Sequence, residues 1–169
     1  TQSRSSAASD VYKRQVSDVN TMSDFSTSGA ITATISDTNI ATLDDLTTSS
    51  ADQLTITVAS TTATAAQLTT VAGATGVNVT ATAVETVTGT AAQVDALLLV
   101  EGAGATDVNL DDDYAITINS GTATVTQANA YGAATGGVVT ATISDTNIAT
   151  LDDLTTSSAD QLTITVAST

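Results

Sequence analysis

A block of thirty residues, Thr32 to Thr61, recurs without a single change as Thr140 to Thr169, an offset of 108. Identity over that length does not come from composition, so whatever this block folds into must fit at two places along one chain. Repeat architectures have that property, because each unit buries its apolar face only by stacking on a neighbour. Gly29 and Gly137 precede the two copies equivalently. The chain is therefore expected to sample one period and part of a second, as a piece of a longer array would.

Within the long period lies a shorter one. Apolar residues occupy every second position in Ile31-Thr-Ala-Thr-Ile35, Leu54-Thr-Ile-Thr-Val58, Val77-Asn-Val-Thr-Ala81, Tyr114-Ala-Ile-Thr-Ile118, Val139-Thr-Ala-Thr-Ile143 and Leu162-Thr-Ile-Thr-Val166. That is the period of a half-buried strand. The expected inward rows are Ile31, Ala33 and Ile35; Leu54, Ile56 and Val58; Val77 and Val79; Ile116 and Ile118; and the C-terminal copies.

A second signal follows most of these segments: Thr42-x-x-Asp45, Thr64-x-x-Gln67, Thr90-x-x-Gln93, Thr124-x-x-Gln127 and Thr150-x-x-Asp153. A Thr with Gln three residues on caps a helix reciprocally, and Asp is a weaker substitute that suits the positive helix end. On that reading the pairs Asp44-Asp45 and Asp152-Asp153 are charges at helix N-termini. Short apolar stripes such as Leu68 and Val71, or Val94 and Leu97, have helical spacing but are too brief to be stable alone. Each helix must be held by its neighbours.

Strands joined by short helices predict an α/β fold, since parallel strands need crossovers and a helix supplies one. The expected architecture is a right-handed solenoid of parallel strands with short capped helices. Its units lie near 30–53, 54–76, 77–107, 108–137, 138–161 and 162–169, after a leader at 1–15 and a lead-in segment at 16–29. The competing architecture is a β-sandwich module recurring with the long period, which suits such a module in size. Against it stand the capping signals and the Ala-rich stretches.

Charge sets the partners. Arg4, Lys13 and Arg14 are the only basic residues, so residues 16–169 carry 17 carboxylates and no Lys or Arg. Such a surface repels phosphate backbones and anionic headgroups, which excludes nucleic acid. No apolar run approaches the length of a membrane span, so no membrane insertion is expected. A strongly acidic chain without cysteine fits an extracellular setting, where counterions screen self-repulsion.

With no His and no Cys, nucleophilic triads and transition-metal sites are ruled out. Carboxylate chemistry remains. A glycosidase would be expected to offer aromatic platforms for sugar, and only Phe25, Tyr114 and Tyr131 lie beyond the leader, so no enzyme is expected. The densest carboxylate cluster is Asp107, Asp111, Asp112 and Asp113, which in a turn could hold Ca²⁺ through oxygen ligands. The competing reading of that cluster is a solvated acidic turn.

The other candidate site is the outward strand face. Thr32, Thr34, Thr55, Thr57, Thr80, Thr117, Thr140, Thr142, Thr163 and Thr165, with Asn78 and Asn119, are expected to stack as two parallel rows. Such rows lie roughly 6.6–7 Å apart along a strand, on strands about 4.8 Å apart. Flat threonine arrays of this kind resemble the ice-binding faces of solenoid antifreeze proteins, which implies ice or surface binding.

Two further resemblances concern provenance and role. Arg4-Ser-Ser-Ala-Ala-Ser-Asp-Val-Tyr-Lys-Arg-Gln15 resembles translated sequencing-adapter sequence at the ends of metagenomic reading frames, which sets 1–15 aside from fold reasoning. The duplicated Thr32–Thr61 block and the Thr-Ala-Ala-Gln segments at Thr64 and Thr90 resemble Thr/Ala-rich repeat regions of large secreted bacterial surface proteins, such as adhesins and surface-layer-like proteins. That resemblance implies a structural spacer whose partners are neighbouring repeats of the same or parent chain. Open solenoid ends then imply self-association or fraying at Leu162–Val166.

Overall fold

The computed structural model describes residues 13–25, 29–102, 104 and 106–167. The first half of the described chain runs β1 (Lys13–Arg14), α1 (Val16–Phe25), β2 (Thr32–Ile35), α2 (Ile40–Leu43), β3 (Gln53–Thr55), β4 (Thr62–Thr64), α3 (Ala65–Gly73) and β5 (Val79–Thr80). The second half runs β6 (Thr86–Thr90), α4 (Ala91–Leu98), β7 (Val108–Asn109), β8 (Ala115–Ser120), α5 (Val125–Ala134), β9 (Val139–Thr142), α6 (Ile148–Leu151) and β10 (Gln161–Thr163).

Every strand pairing among the described residues is parallel. The protein is thus α/β, with parallel sheets and short helices. The sandwich alternative is overturned, because that architecture is built from antiparallel pairs. One sheet has the order β1-β2-β3, a second is β5-β7, and a bridge between Thr57 and Thr80 joins them. The third has the order β10-β9-β8-β6-β4.

Partners recur at short and similar intervals. Lys13 pairs with Thr34, Thr34 with Thr55, Thr57 with Thr80, and Val79 with Val108. In the five-stranded sheet Thr62 pairs with Thr86, Thr86 with Ala115, Thr117 with Thr140, and Thr140 with Gln161. Each step leaves room for a strand, a short helix or turn, and the return to the next strand.

Alternation puts the expected residues inside. Ile31, Ile35, Leu54, Ile56, Val58, Val79, Ile116, Ile118, Val139, Ala141 and Ile143 are buried in one aliphatic core. Tyr114 and Tyr131 are its aromatic members. Ala33 and Val77 are only half-buried, and in the C-terminal copy Leu162 is half-buried while Ile164 and Val166 are exposed. The inward row is therefore not completed at that end.

The three Thr-x-x-Gln signals are capping boxes. Thr64 Oγ1 accepts the Gln67 amide at 3.1 Å while Gln67 Oε1 accepts the Thr64 amide at 3.1 Å, and Thr90 with Gln93 and Thr124 with Gln127 repeat the exchange. Each box satisfies two amides that a helix start would otherwise leave unpaired. The Thr42 and Thr150 signals fail. Asn39 and Asn147, which follow soon after the buried Ile35 and Ile143, are stronger caps, and each accepts the amide two residues on at 2.9 Å. Thr42 and Thr150 consequently lie inside α2 and α6, and Asp44-Asp45 and Asp152-Asp153 fall at the helix C-termini rather than the N-termini.

Strands β4 and β6 were not foreseen as strands. Their inward residues are Ala63, Val87 and Gly89, which are mostly too small to register as hydrophobic alternation. The small size has a cause: a Cβ on Gly89 would stand 3.2 Å from Gln93 Oε1 and 3.4 Å from the Ala65 Cβ at the start of α3. Of the expected leader, residues 1–12 lie outside the described residues. Lys13 and Arg14, assigned to the same leader, pair with Thr34 and Ile35, and the lead-in segment contains helix α1 with Val16 and Val19 buried.

Candidate functional site

The expected threonine rows do not form one face. Thr34 and Thr55 pair in the first sheet and Thr57 bridges Thr80, whereas Thr117 pairs with Thr140 and Thr142 with Thr163 in the five-stranded sheet. Thr32 pairs with Gln53, and Thr165 is exposed beyond the last strand. Sequence reading missed the longest row because it missed β4 and β6. Thr64, Thr88, Thr117 and Thr140 stand in register on four neighbouring strands, each half-exposed, with Thr62 and Thr86 paired beside them.

The acidic cluster is not gathered either. Among the described residues no group of three or more carboxylates stands close enough to hold a metal ion. Asp107 instead accepts the Gly104 amide at 2.8 Å and Asp111 the Asp112 amide at 2.9 Å, while Asp112 and Asp113 are exposed. Asp107 and Asp111 are thus each held by a local amide through one oxygen.

The carboxylates that matter lie elsewhere, and they link segments that are neighbours in space but not in sequence. Asp52 accepts the buried Ile31 amide through Oδ1 at 2.8 Å and the Ser49 amide through Oδ2 at 3.0 Å. Asp160 does the same for Val139 and Ser157, both at 2.7 Å. Asp37 takes the Val16 amide at 2.8 Å and Asp145 the Val125 amide at 2.7 Å. A bending chain leaves backbone amides without a ladder partner, and a short side-chain acceptor from the adjacent segment satisfies them. The duplicated Ser49-x-x-Asp52 and Ser157-x-x-Asp160 carried a signal for this, a side chain three residues after Ser closing a local turn.

Threonine hydroxyls and Asn side chains add to the set. Thr75 Oγ1, fully buried, donates to the Leu54 carbonyl and accepts the Leu54 amide, both at 2.9 Å. Thr135 Oγ1 donates to the Tyr114 carbonyl at 2.5 Å and accepts the Gly137 amide at 3.0 Å. Gly137 must be glycine there, because a Cβ would run into the backbone carbonyls of Asp113 and Tyr114. Asn20 donates to the Asp45 carbonyl and accepts the Thr47 amide; Asn129 does so with Asp153 and Thr155. The separation of Asn20 from Asn129 exceeds the offset of the identical blocks by a single position, so the structural repeat reaches back into α1 with a slip that the identical block conceals. Among the described residues no buried side-chain nitrogen or oxygen lacks a partner.

Three groups, Glu101, Tyr114 and Tyr131, have shifted acidities. The Tyr114 hydroxyl donates to Glu101 Oε2 at 2.8 Å. Burial raises the Glu101 carboxyl above 4.5, Tyr114 pulls it back, and the nearby Asp112 charge pushes it up again. Burial also raises Tyr114, with the Glu101 hydrogen bond and charge adding to it. Tyr131, raised by burial and by Asp95, donates to Asp95 Oδ1 at 2.8 Å, with the Ala91 carbonyl 3.0 Å away.

A carboxylate raised on folding binds a proton more readily in the native state, so its stabilising contribution is complete below 4.5 and is lost as pH rises through the folded value. Unfolding free energies measured across that range should therefore fall with pH in the native sequence relative to Glu101→Gln, which keeps an acceptor for Tyr114 but does not titrate. Parallel pH profiles for the two proteins would exclude this assignment.

No helix among the described residues is long and apolar enough to cross a membrane. Comparison of the chain with protein-family models, with curated proteins and with solved structures finds no match.

Proposed function

We propose that the chain is a stretch of a right-handed α/β solenoid serving as a non-enzymatic structural repeat or spacer of an extracellular, adhesin-like surface protein. One observation carries the reading: a single long block is used twice, and both copies make the same links. Asp52 and Asp160 hold the same kind of amide, Asn39 and Asn147 cap the same short helix, and the Ala59 and Ala167 amides return to the Thr38 and Thr146 carbonyls at 2.8 and 2.9 Å. The regular return of parallel partners, from Lys13 to Thr34 to Thr55 and from Thr62 through Thr86 and Ala115, supports the solenoid, since a coil of that length stacks on the next without limit. The side-chain chemistry supports a spacer: acidic residues are spent on joining coils. The acidic, cysteine-free composition supports a place outside the cell, with neighbouring repeats as partners.

A spacer adds length in fixed increments. Chains carrying one, two and three copies of the long period should show a maximum dimension, by small-angle scattering, that grows linearly. A dimension that grows as the cube root of mass would sink the proposal.

The alternative is ice or surface binding by the threonines, and the row Thr64, Thr88, Thr117 and Thr140 supports it. Thermal hysteresis in the native protein that disappears in Thr117→Lys, with the melting temperature kept, would favour this second reading. Thr57→Lys, on the other sheet, should then leave hysteresis in place. Absence of hysteresis in the native protein leaves the spacer.

A further inference from the structure

The first sheet ends in the middle of the chain. Strands β1, β2, β3, β5 and β7 follow one another across it through the Thr57–Thr80 bridge, but the next strands along the chain, β8 and β9, belong to the five-stranded sheet. Val108 in β7 is fully buried. On either side of it the Asp107 and Asn109 carbonyls face β5 and accept the Val79 and Ala81 amides at 2.9 and 2.8 Å. The amide and carbonyl of Val108 itself point the other way, to the edge, and the chain's own residues 100–102 take both. The Val108 amide donates to the Val100 carbonyl at 2.7 Å and the Gly102 amide donates to the Val108 carbonyl at 3.0 Å, in a parallel bridge between Glu101 and Val108. Parallel neighbours are ordinarily joined by roughly a dozen residues or more, and far fewer separate these two. The tight return is held from three sides. Asn78, beside β5, donates to the Gly102 and Gly104 carbonyls at 3.1 and 2.9 Å; Asp107 accepts the Gly104 amide; and the Tyr114 hydroxyl anchors Glu101. Glycine is required at two places, because Gly102 has φ +147° and a Cβ on Gly104 would run into the Asp107 carboxylate.

We propose that residues 100–102 are an edge guard, a strap that fills the open edge of the first sheet at β7 and so prevents a second copy of the chain from pairing a strand there. A sheet edge with free backbone groups is a template for another strand. A second copy is the partner to be excluded, because this sequence carries many short strands that already pair in parallel with their neighbours. The strap acts in two ways. It satisfies both edge-facing groups of Val108, which would otherwise be buried without a partner. It also replaces the edge by one that is a single bridge long, carries the Glu101 carboxylate and leaves extended geometry at Gly102, all features that discourage a further strand.

The test displaces the strap in the full chain with Asn78→Ala and Gly102→Pro together, which removes the two clamping bonds, the amide bonded to Val108 and the φ that the turn needs. In dilute solution the Val108 amide should exchange at least about tenfold faster than in the native protein. The Leu54 and Ile116 amides should keep their native rates and so report an intact fold. At higher concentration, sedimentation should show association beyond that of the native protein, and the Val108 amide should become protected again as a second copy pairs with it. If the double variant loses protection at Leu54 or Ile116 as well, Asn78→Ala alone is measured, and Val108 exchange and association should move in the same directions by less. A folded variant that exposes Val108 yet sediments like the native protein overturns the guard. So does association that leaves Val108 exchanging fast, since it runs through another surface. Native protection of Val108 in both variants overturns it too, because residues 100–102 would then not be what covers the edge.

Discussion

Ile56→Ala is expected to lower the unfolding free energy by about 2–5 kcal/mol, and Ile164→Ala to change it by no more than about 0.5 kcal/mol. The two residues sit in identical thirty-residue surroundings, so local sequence supplies no difference between them. Ile56 is 1 % exposed beneath the coil that follows it and Ile164 is 44 % exposed at the uncovered end. Removing a packed side chain loses its transfer free energy and leaves a cavity, whereas trimming a half-solvated one loses little of either. Urea unfolding of both variants checks the contrast. Equal losses would mean that Ile164 is covered in solution, by self-association or otherwise, and measuring at several protein concentrations separates those cases.

Asp52→Ala should be the most damaging change at a carboxylate. It removes the acceptor of the buried Ile31 amide and of the Ser49 amide together, at about 1–3 kcal/mol for each buried amide left unpaired. Asp52→Asn keeps one oxygen for Ile31 but turns a donor toward Ser49, so its stability should fall between the native protein and the Ala variant. Asp160→Ala deletes the same two bonds around a half-buried residue, where water can replace them, and should cost less. Stability of the Ala variant equal to that of the native protein would remove Asp52 from the set of residues that join segments distant in sequence. Under the proposed spacer reading, the residues that join adjacent segments would be the working parts.

The capping boxes were legible because their partners are three residues apart, so Thr64 and Gln67 meet whenever a helix forms between them. Strand alternation at Leu54–Val58 and Tyr114–Ile118 was legible for a similar reason, since the pleat repeats every two residues. The failures have physical causes too. Thr42 and Thr150 lost their helix starts to the stronger caps three residues earlier, Asn39 and Asn147. Strands β4 and β6 went unseen because their inward Ala63 and Gly89 are small, at Gly89 because neighbouring side chains come close. The carboxylates from Asp107 to Asp113 are not gathered among the described residues, with Asp107 and Asp111 each accepting a nearby amide and Asp112 and Asp113 exposed.

Composition and period alone determined that this chain builds parallel strands and short capped helices around an aliphatic interior, and that thiol and imidazole chemistry is closed to it. Those conclusions depend on interactions within a few residues, or on side chains that are simply missing. Tertiary structure alone decided which carboxylates and hydroxyls hold adjacent segments together, since Asp52 and Ile31, or Thr75 and Leu54, are far apart in sequence and meet only in the fold. It also decided that Ile40, Ile56 and Val58 are buried while their copies Ile148, Ile164 and Val166 are exposed, because burial is set by whatever segment lies next to a residue and not by the residue's own sequence.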